Sequence, residues 1–173
     1  MRTSAFPLVT MLLFAMPAIL QAAEPDSNAK LPSRKAGLWE LKTSMDEGNG
    51  PIDQIMKLCV DGHMEANTVT ASMQQHKENC SSYQIKPDAG SVTVDADCMF
   101  NERKVVSSTK MAGDFQSAFE IKIDSATSDP QAKDQSIIIK RKITQSGKYL
   151  GESCGELKPG EAEGPDGKRV LVQ

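Results

Sequence analysis

Two-residue alternation dominates this chain and restricts most of it to β-structure. Val92, Val94, Ala96, Cys98 and Phe100 are separated by Thr93, Asp95 and Asp97. Successive side chains on a strand point to opposite faces, so such a run buries one face and wets the other. The pattern recurs along the sequence. Trp39, Leu41, Thr43 and Met45 alternate with Glu40, Lys42 and Ser44, and Met56, Leu58 and Val60 with Lys57 and Cys59. Tyr83 and Ile85 alternate with Gln84 and Lys86, Val105 to Met111 repeats the period, and Phe115, Ser117, Phe119, Ile121 and Ile123 alternate with Gln116, Glu120 and Lys122. Turn compositions separate the runs: Asp46 to Pro51, Asp88-Ala89-Gly90, Asn101-Glu102-Arg103 and Ala112-Gly113-Asp114. A polar loop around Pro130, from Ser125 to Gln135, precedes a strand from Ile137 to Ile143. Gly147 is expected to turn the chain into a last strand, Tyr149 to Cys154. Strands joined by short turns pair with their neighbours in antiparallel fashion.

The fold expected is therefore mainly β: an antiparallel up-and-down meander of about eight strands, curling into a barrel or half-barrel around its apolar face. One short helix interrupts it. Between Gly62 and Gln75, Ala66, Val69 and Met73 fall on one helical stripe, with Asp61 at the N-cap and Glu65 in the first turn.

The opening residues set the compartment. Met1-Arg2, the apolar run Ala5 to Leu20 and the small residues Ala22-Ala23 read as a signal peptide, 1–23, cut after Ala23 or Ala22. Pro7, Thr10 and Pro17 interrupt the run, which falls short of the roughly 20 residues a spanning helix needs. The mature chain is thus expected in the periplasm with no stable membrane span. Residues 24–35 read as a flexible lead-in, 36–156 as one β-rich, disulfide-stapled domain, and the Gly-, Pro- and Glu-rich 157–173 as a disordered tail. In an oxidising compartment Cys59, Cys80, Cys98 and Cys154 form two disulfides. The connectivity expected is Cys59–Cys80 with Cys98–Cys154, in which the two loops do not cross. No Cys-x-x-Cys occurs, so neither an oxidoreductase nor a zinc site is expected, and no cofactor.

Pro32 and Lys35-Ala36-Gly37-Leu38-Trp39-Glu40 resemble the opening of the small secreted bacterial proteins grouped as domain of unknown function 3617. The resemblance runs on through Cys59, a short helix, Cys80, Cys98, and the glycine-rich Gly147 to Gly151 before Cys154. The family prefers proline where Ala36 stands. The resemblance implies secretion and a four-cysteine framework, and it implies no catalytic residue.

Charge and side-chain chemistry exclude several classes. Lys+Arg number 20 against 23 Asp+Glu, a net charge of −3, and removal of Arg2 makes the mature chain more acidic. Such a balance gives no support for nucleic-acid binding. Gly151-Glu152-Ser153-Cys154-Gly155 spells Gly-x-Ser-x-Gly, but a nucleophile elbow needs a helix next, and Leu157-Lys158-Pro159-Gly160 cannot form one. His63 and His76 fall on opposite sides of the helix and cannot share a metal as a neighbouring pair. Asp95 and Asp97 share a strand face, where paired carboxylates serve acid–base or calcium chemistry; without further ligands a solvated sheet face is favoured. Ile137-Ile138-Ile139 places apolar groups on both faces; cover by the Ala66–Met73 helix or a neighbouring loop is favoured over an exposed patch for a partner or lipid.

Together these readings point to a periplasmic domain without catalysis, whose curved sheet binds a small apolar ligand or an envelope component. A second reading is an envelope interaction or stress-associated protein that uses its outer face. A third is a hydrolase at Ser153.

Overall fold

Short turns double the chain back on itself wherever alternation stops. The computed structural model describes residues 30–132 and 138–172. The expected signal peptide, the start of the lead-in and Ile137 lie outside them. The elements are β1 (Gly37–Asp46), β2 (Ile52–Val60), α1 (Gly62–Asn79), β3 (Cys80–Asp88), β4 (Ser91–Phe100), β5 (Arg103–Gly113), β6 (Ala118–Ser128), β7 (Ile138–Gly151), β8 (Glu161–Glu163) and β9 (Arg169–Leu171). All pairings are antiparallel, in the order β3-β4-β5-β6-β7-β1-β2-β8-β9. The sheet has two edges and is not closed into a barrel. The mainly β meander with one helix is thus present, and a half-barrel curl is compatible with it.

The helix carries the chain from one side of the sheet to the other. It starts one residue after β2 and ends directly at β3, six strand positions away. Its 18 residues rise about 27 Å, against about 29 Å for six strand spacings, so helix length and sheet width match. Asp61 caps it, accepting from the backbone N–H of His63 and Met64 at 3.0 and 2.9 Å. The inward stripe is Glu65, Val69, Ser72, Met73 and His76, while Ala66 is exposed. Val69 and Met73 of the expected stripe are thus on it, and Glu65 takes the place expected for Ala66. Glu65 leads it because it binds Arg34, which donates to both carboxylate oxygens at 2.9 and 2.6 Å. That pair and the bond from Lys35 N–H to the Phe115 carbonyl dock the end of the lead-in, which is not flexible there.

The core forms where β1, β2, β6 and β7 meet. Trp39, Leu41, Leu58, Val60, Phe115, Phe119 and Ala162 are buried together. Phe119 occupies the space above Gly147, where an added Cβ would lie 2.1 Å from the ring. This explains why Gly147 lies inside β7 and makes no turn there: only a residue without a side chain admits the ring. Phe115 is likewise not in a strand. It sits in a turn at φ 55° and stacks on Phe119 at 4.9 Å. Asp114 holds that turn by accepting from the backbone N–H groups of Gln116, Ser117 and Ala118, and the Ser117 bonds foremost keep its carboxyl well below the usual carboxylate range.

Three expectations fail on topology. The disulfides are Cys59–Cys154 and Cys80–Cys98, not Cys59–Cys80 and Cys98–Cys154. The turn between β3 and β4 sets Asp88 opposite Ser91, which holds the register back to Ser82 opposite Asp97. A one-residue shift between Cys80 and Ser82 then brings Cys80 opposite Cys98 rather than Met99, with a Cα separation of 3.8 Å. The helix meanwhile leaves Cys59 on the far side. There Leu38 of β1 lies between Cys59 and Gly151, and the bridge straps β2 to the chain leaving β7. The tail is not disordered between Lys158 and Leu171: β8 pairs with β2, β9 with β8, and Leu157 and Ala162 are buried. Its few apolar residues are sufficient because the bridge at Cys154 already holds the segment against β2. Finally, α1 packs on β3 and β4, and Ile138 and Ile139 are exposed.

Candidate functional site

Register decides which side chains share a face. On the polar face, Ser82, Asp97, Val106, Ala126 and Lys140 form one row across β3 to β7, and Gln84, Asp95, Ser108, Asp124 and Lys142 form the next. Apart from Gln84, these two rows line a groove of about 630 Å³. Val106, 45% exposed, and Ala126 give it an apolar floor. Asp95 accepts from Lys86 at 2.8 Å and from the Ser108 hydroxyl at 2.6 Å. The Lys86 bond foremost, then Ser108, keeps its carboxyl below the ordinary value. Asp97 is paired with Lys104 at 2.9 Å. Both carboxylates flagged in the sequence thus line the groove, each already neutralised by a lysine on a neighbouring strand.

The opposite wall is basic. Lys140 and Lys142 stand two residues apart on β7 and make no ion pair among the described residues, while Arg141 between them is taken by Glu47. Sequence reasoning missed this wall. The polar residues were legible as one face, but their segregation into an acid-bearing β4 and a lysine-rich β7 emerges only with strand order.

The other flagged residues do not converge on the groove. His63 faces solvent beside Asn67. His76 places Nδ1 2.6 Å from the Ser72 carbonyl, and its ring packs at 4.7 Å on Tyr83, whose hydroxyl pKa is raised by burial. Ser153 lies exposed in the loop after β7, where its hydroxyl accepts from Gly155 N–H at 3.3 Å and no histidine hydrogen-bonds it among the described residues. No strand–turn–helix surrounds it. Replacing Ser153 with Ala is expected to change stability by no more than about 0.5 kcal/mol. A serine-hydrolase probe should leave Ser153 unlabelled; a covalent adduct lost in that variant would make it a nucleophile. Among the described residues no cluster of His, Cys, Asp or Glu could hold a metal, and no helix is long and apolar enough to cross a membrane.

One family model matches the chain, over residues 34–154, under the description Protein of unknown function (DUF3617). The match spans β1 to β7 and all four cysteines, and leaves β8 and β9 beyond it. No curated protein and no solved structure matches.

Proposed function

The chain belongs to the family described as Protein of unknown function (DUF3617), and on that premise we propose a non-catalytic binding domain of the periplasm that engages an envelope partner through the groove on its polar face. The observation that carries this reading is the groove itself: about 630 Å³, with an apolar floor and charged walls. Binding clefts commonly enclose about 300–1,000 Å³, and the groove falls in that range. The two disulfides support an oxidising compartment. A small apolar ligand inside the curved sheet is less favoured, because the Trp39 cluster fills the end of the apolar face where β1, β2, β6 and β7 meet.

The reading is tested by photo-crosslinking in cells. A crosslinking residue at Val106, in the groove, should give discrete adducts. The same residue at Ile55, exposed on β2 and outside the groove, should not. Absence of adducts at position 106, or equal adducts at both positions, would overturn it.

A further inference from the structure

The polar face of β5, β6 and β7 is far more basic than the chain that carries it. Register places Lys104 and Lys110 of β5, Lys122 of β6, and Lys140, Lys142 and Lys148 of β7 on this face, against only Glu120 and Asp124. Six lysines thus face two acids in a chain whose net charge is −3. Lys104 is paired with Asp97 and Lys122 with Glu120. Lys110, Lys140, Lys142 and Lys148 have no ion-pair partner among the described residues. Asp46 and Asp124 flank Lys142 in register and Glu40 flanks Lys148, but among the described residues none of these carboxylates forms an ion pair with them, and an anionic partner would relieve the like-charge repulsion that remains.

The arrangement also says what kind of anion fits. Lys140 and Lys142 are on one wall of the groove, about 7 Å apart along β7, and Lys148 continues the line to about 27 Å from Lys140. A single phosphate needs donors that converge within a few ångströms, usually with the fork of an arginine. Here the free cations are lysines strung along a strand. A flat anionic bilayer would rest on the rims and leave the groove floor unfilled. An extended polypeptide laid along β7 has the same two-residue period, so alternate carboxylates along it would meet Lys140 and Lys142 and a later one Lys148, while a small side chain at the Lys140 end would rest on Ala126 in the same cross-strand row.

We propose that the groove and the β7 lysine line bind an extended acidic segment of a protein partner. This inference rests on the groove being the contact site, as proposed above, and adds the chemistry of what enters it. Fluorescence anisotropy of the purified, oxidised protein with a labelled alternating Glu-Ser decapeptide tests it. Binding should weaken as salt rises, and fall by about tenfold or more in the Lys140→Glu/Lys142→Glu variant. Lys57→Glu, on the same face of β2 but outside the lysine line, should change it less than about twofold. The Lys140→Gln/Lys142→Gln variant repeats the measurement should charge reversal disturb folding. Failure of the peptide to bind, binding unchanged in both double variants, or tighter binding to phosphatidylglycerol vesicles or single-stranded DNA would overturn the proposal. Crosslinks at Val106 combined with no peptide binding would overturn the acidic partner alone and leave the groove as the contact site.

Discussion

Trp39→Ala is expected to destabilise the oxidised protein by about 3–5 kcal/mol, read as a shift of the urea midpoint. Trp39 is 0% exposed and the largest fully buried side chain among the described residues. Its ring centroid lies 5.4 Å from both Phe119 and Tyr149, one contact tilted and the other edge-on. Such aromatic pairs add roughly 0.5–1.5 kcal/mol beyond the area they bury. Its indole N–H also donates to the Lys35 carbonyl at 2.8 Å, which fixes the entry of the chain into β1. Phe119 is itself locked by Phe115 on one side and Gly147 below, so little can move in to fill the space. A domain of this size has about 5–15 kcal/mol in total, so the variant would be marginal. Trp39→Phe should lose less, keeping one ring in the cavity. Leu150→Ala, on an exposed position of the same β7 strand, should stay within about 0.5 kcal/mol. A loss below about 1 kcal/mol for Trp39→Ala would mean that the cluster does not carry the core.

Most strands were legible because alternation is a local signal. Val92 to Phe100 and Trp39 to Met45 can each bury only one face, and their turns announce themselves by Gly, Asn and Asp. What escaped the sequence depends on neighbours. Gly147 looks like a turn until Phe119 is placed above it. Phe115 continues an alternating pattern, yet Asp114 draws the following backbone N–H groups into a turn and Phe115 joins the core from there. The Lys158 to Leu171 segment is too polar to fold alone, and it is ordered by pairing with a β2 edge held near it by Cys154. The candidate site follows the same rule. Asp95 and Asp97 were visible as neighbours on a strand, whereas Lys140 and Lys142 reach the opposite wall only because β5 and β6 fill the space between β4 and β7. The pairing of Cys80 with Cys98 could have been counted to within one residue from the Asp88-Ala89-Gly90 turn, the remaining step being the register shift between Cys80 and Ser82. The pairing of Cys59 with Cys154 could not, because it needs β1 to dock beside β7.

That long-range bridge is the second expected weak point. Cys59 and Cys154 are 95 residues apart, and Cys80 and Cys98 are 18 apart. In the chain-entropy treatment the longer loop restrains the unfolded chain by about 4.7 kcal/mol and the shorter by about 3 kcal/mol. The folded state adds to the difference. Gly160 N–H donates to the Cys59 carbonyl at 2.9 Å, Leu157 and Ala162 are buried, and β8 pairs with β2 only at Lys57 and Leu58. Two register positions hold a strand poorly without a tether, since an edge of this size opens at little cost. Cys80–Cys98, in contrast, links strands already paired along their whole length. The Cys59→Ser/Cys154→Ser variant should therefore lose about 2–5 kcal/mol. Its turn between Glu163 and Arg169 should be cut faster by protease under native conditions than that of the intact protein. Cys80→Ser/Cys98→Ser should lose less and keep that turn protected. A larger loss from the Cys80 and Cys98 replacements, or an unchanged cleavage rate without Cys59–Cys154, would show that β8 and β9 hold to β2 by their own pairing and that the bridge is not what orders them.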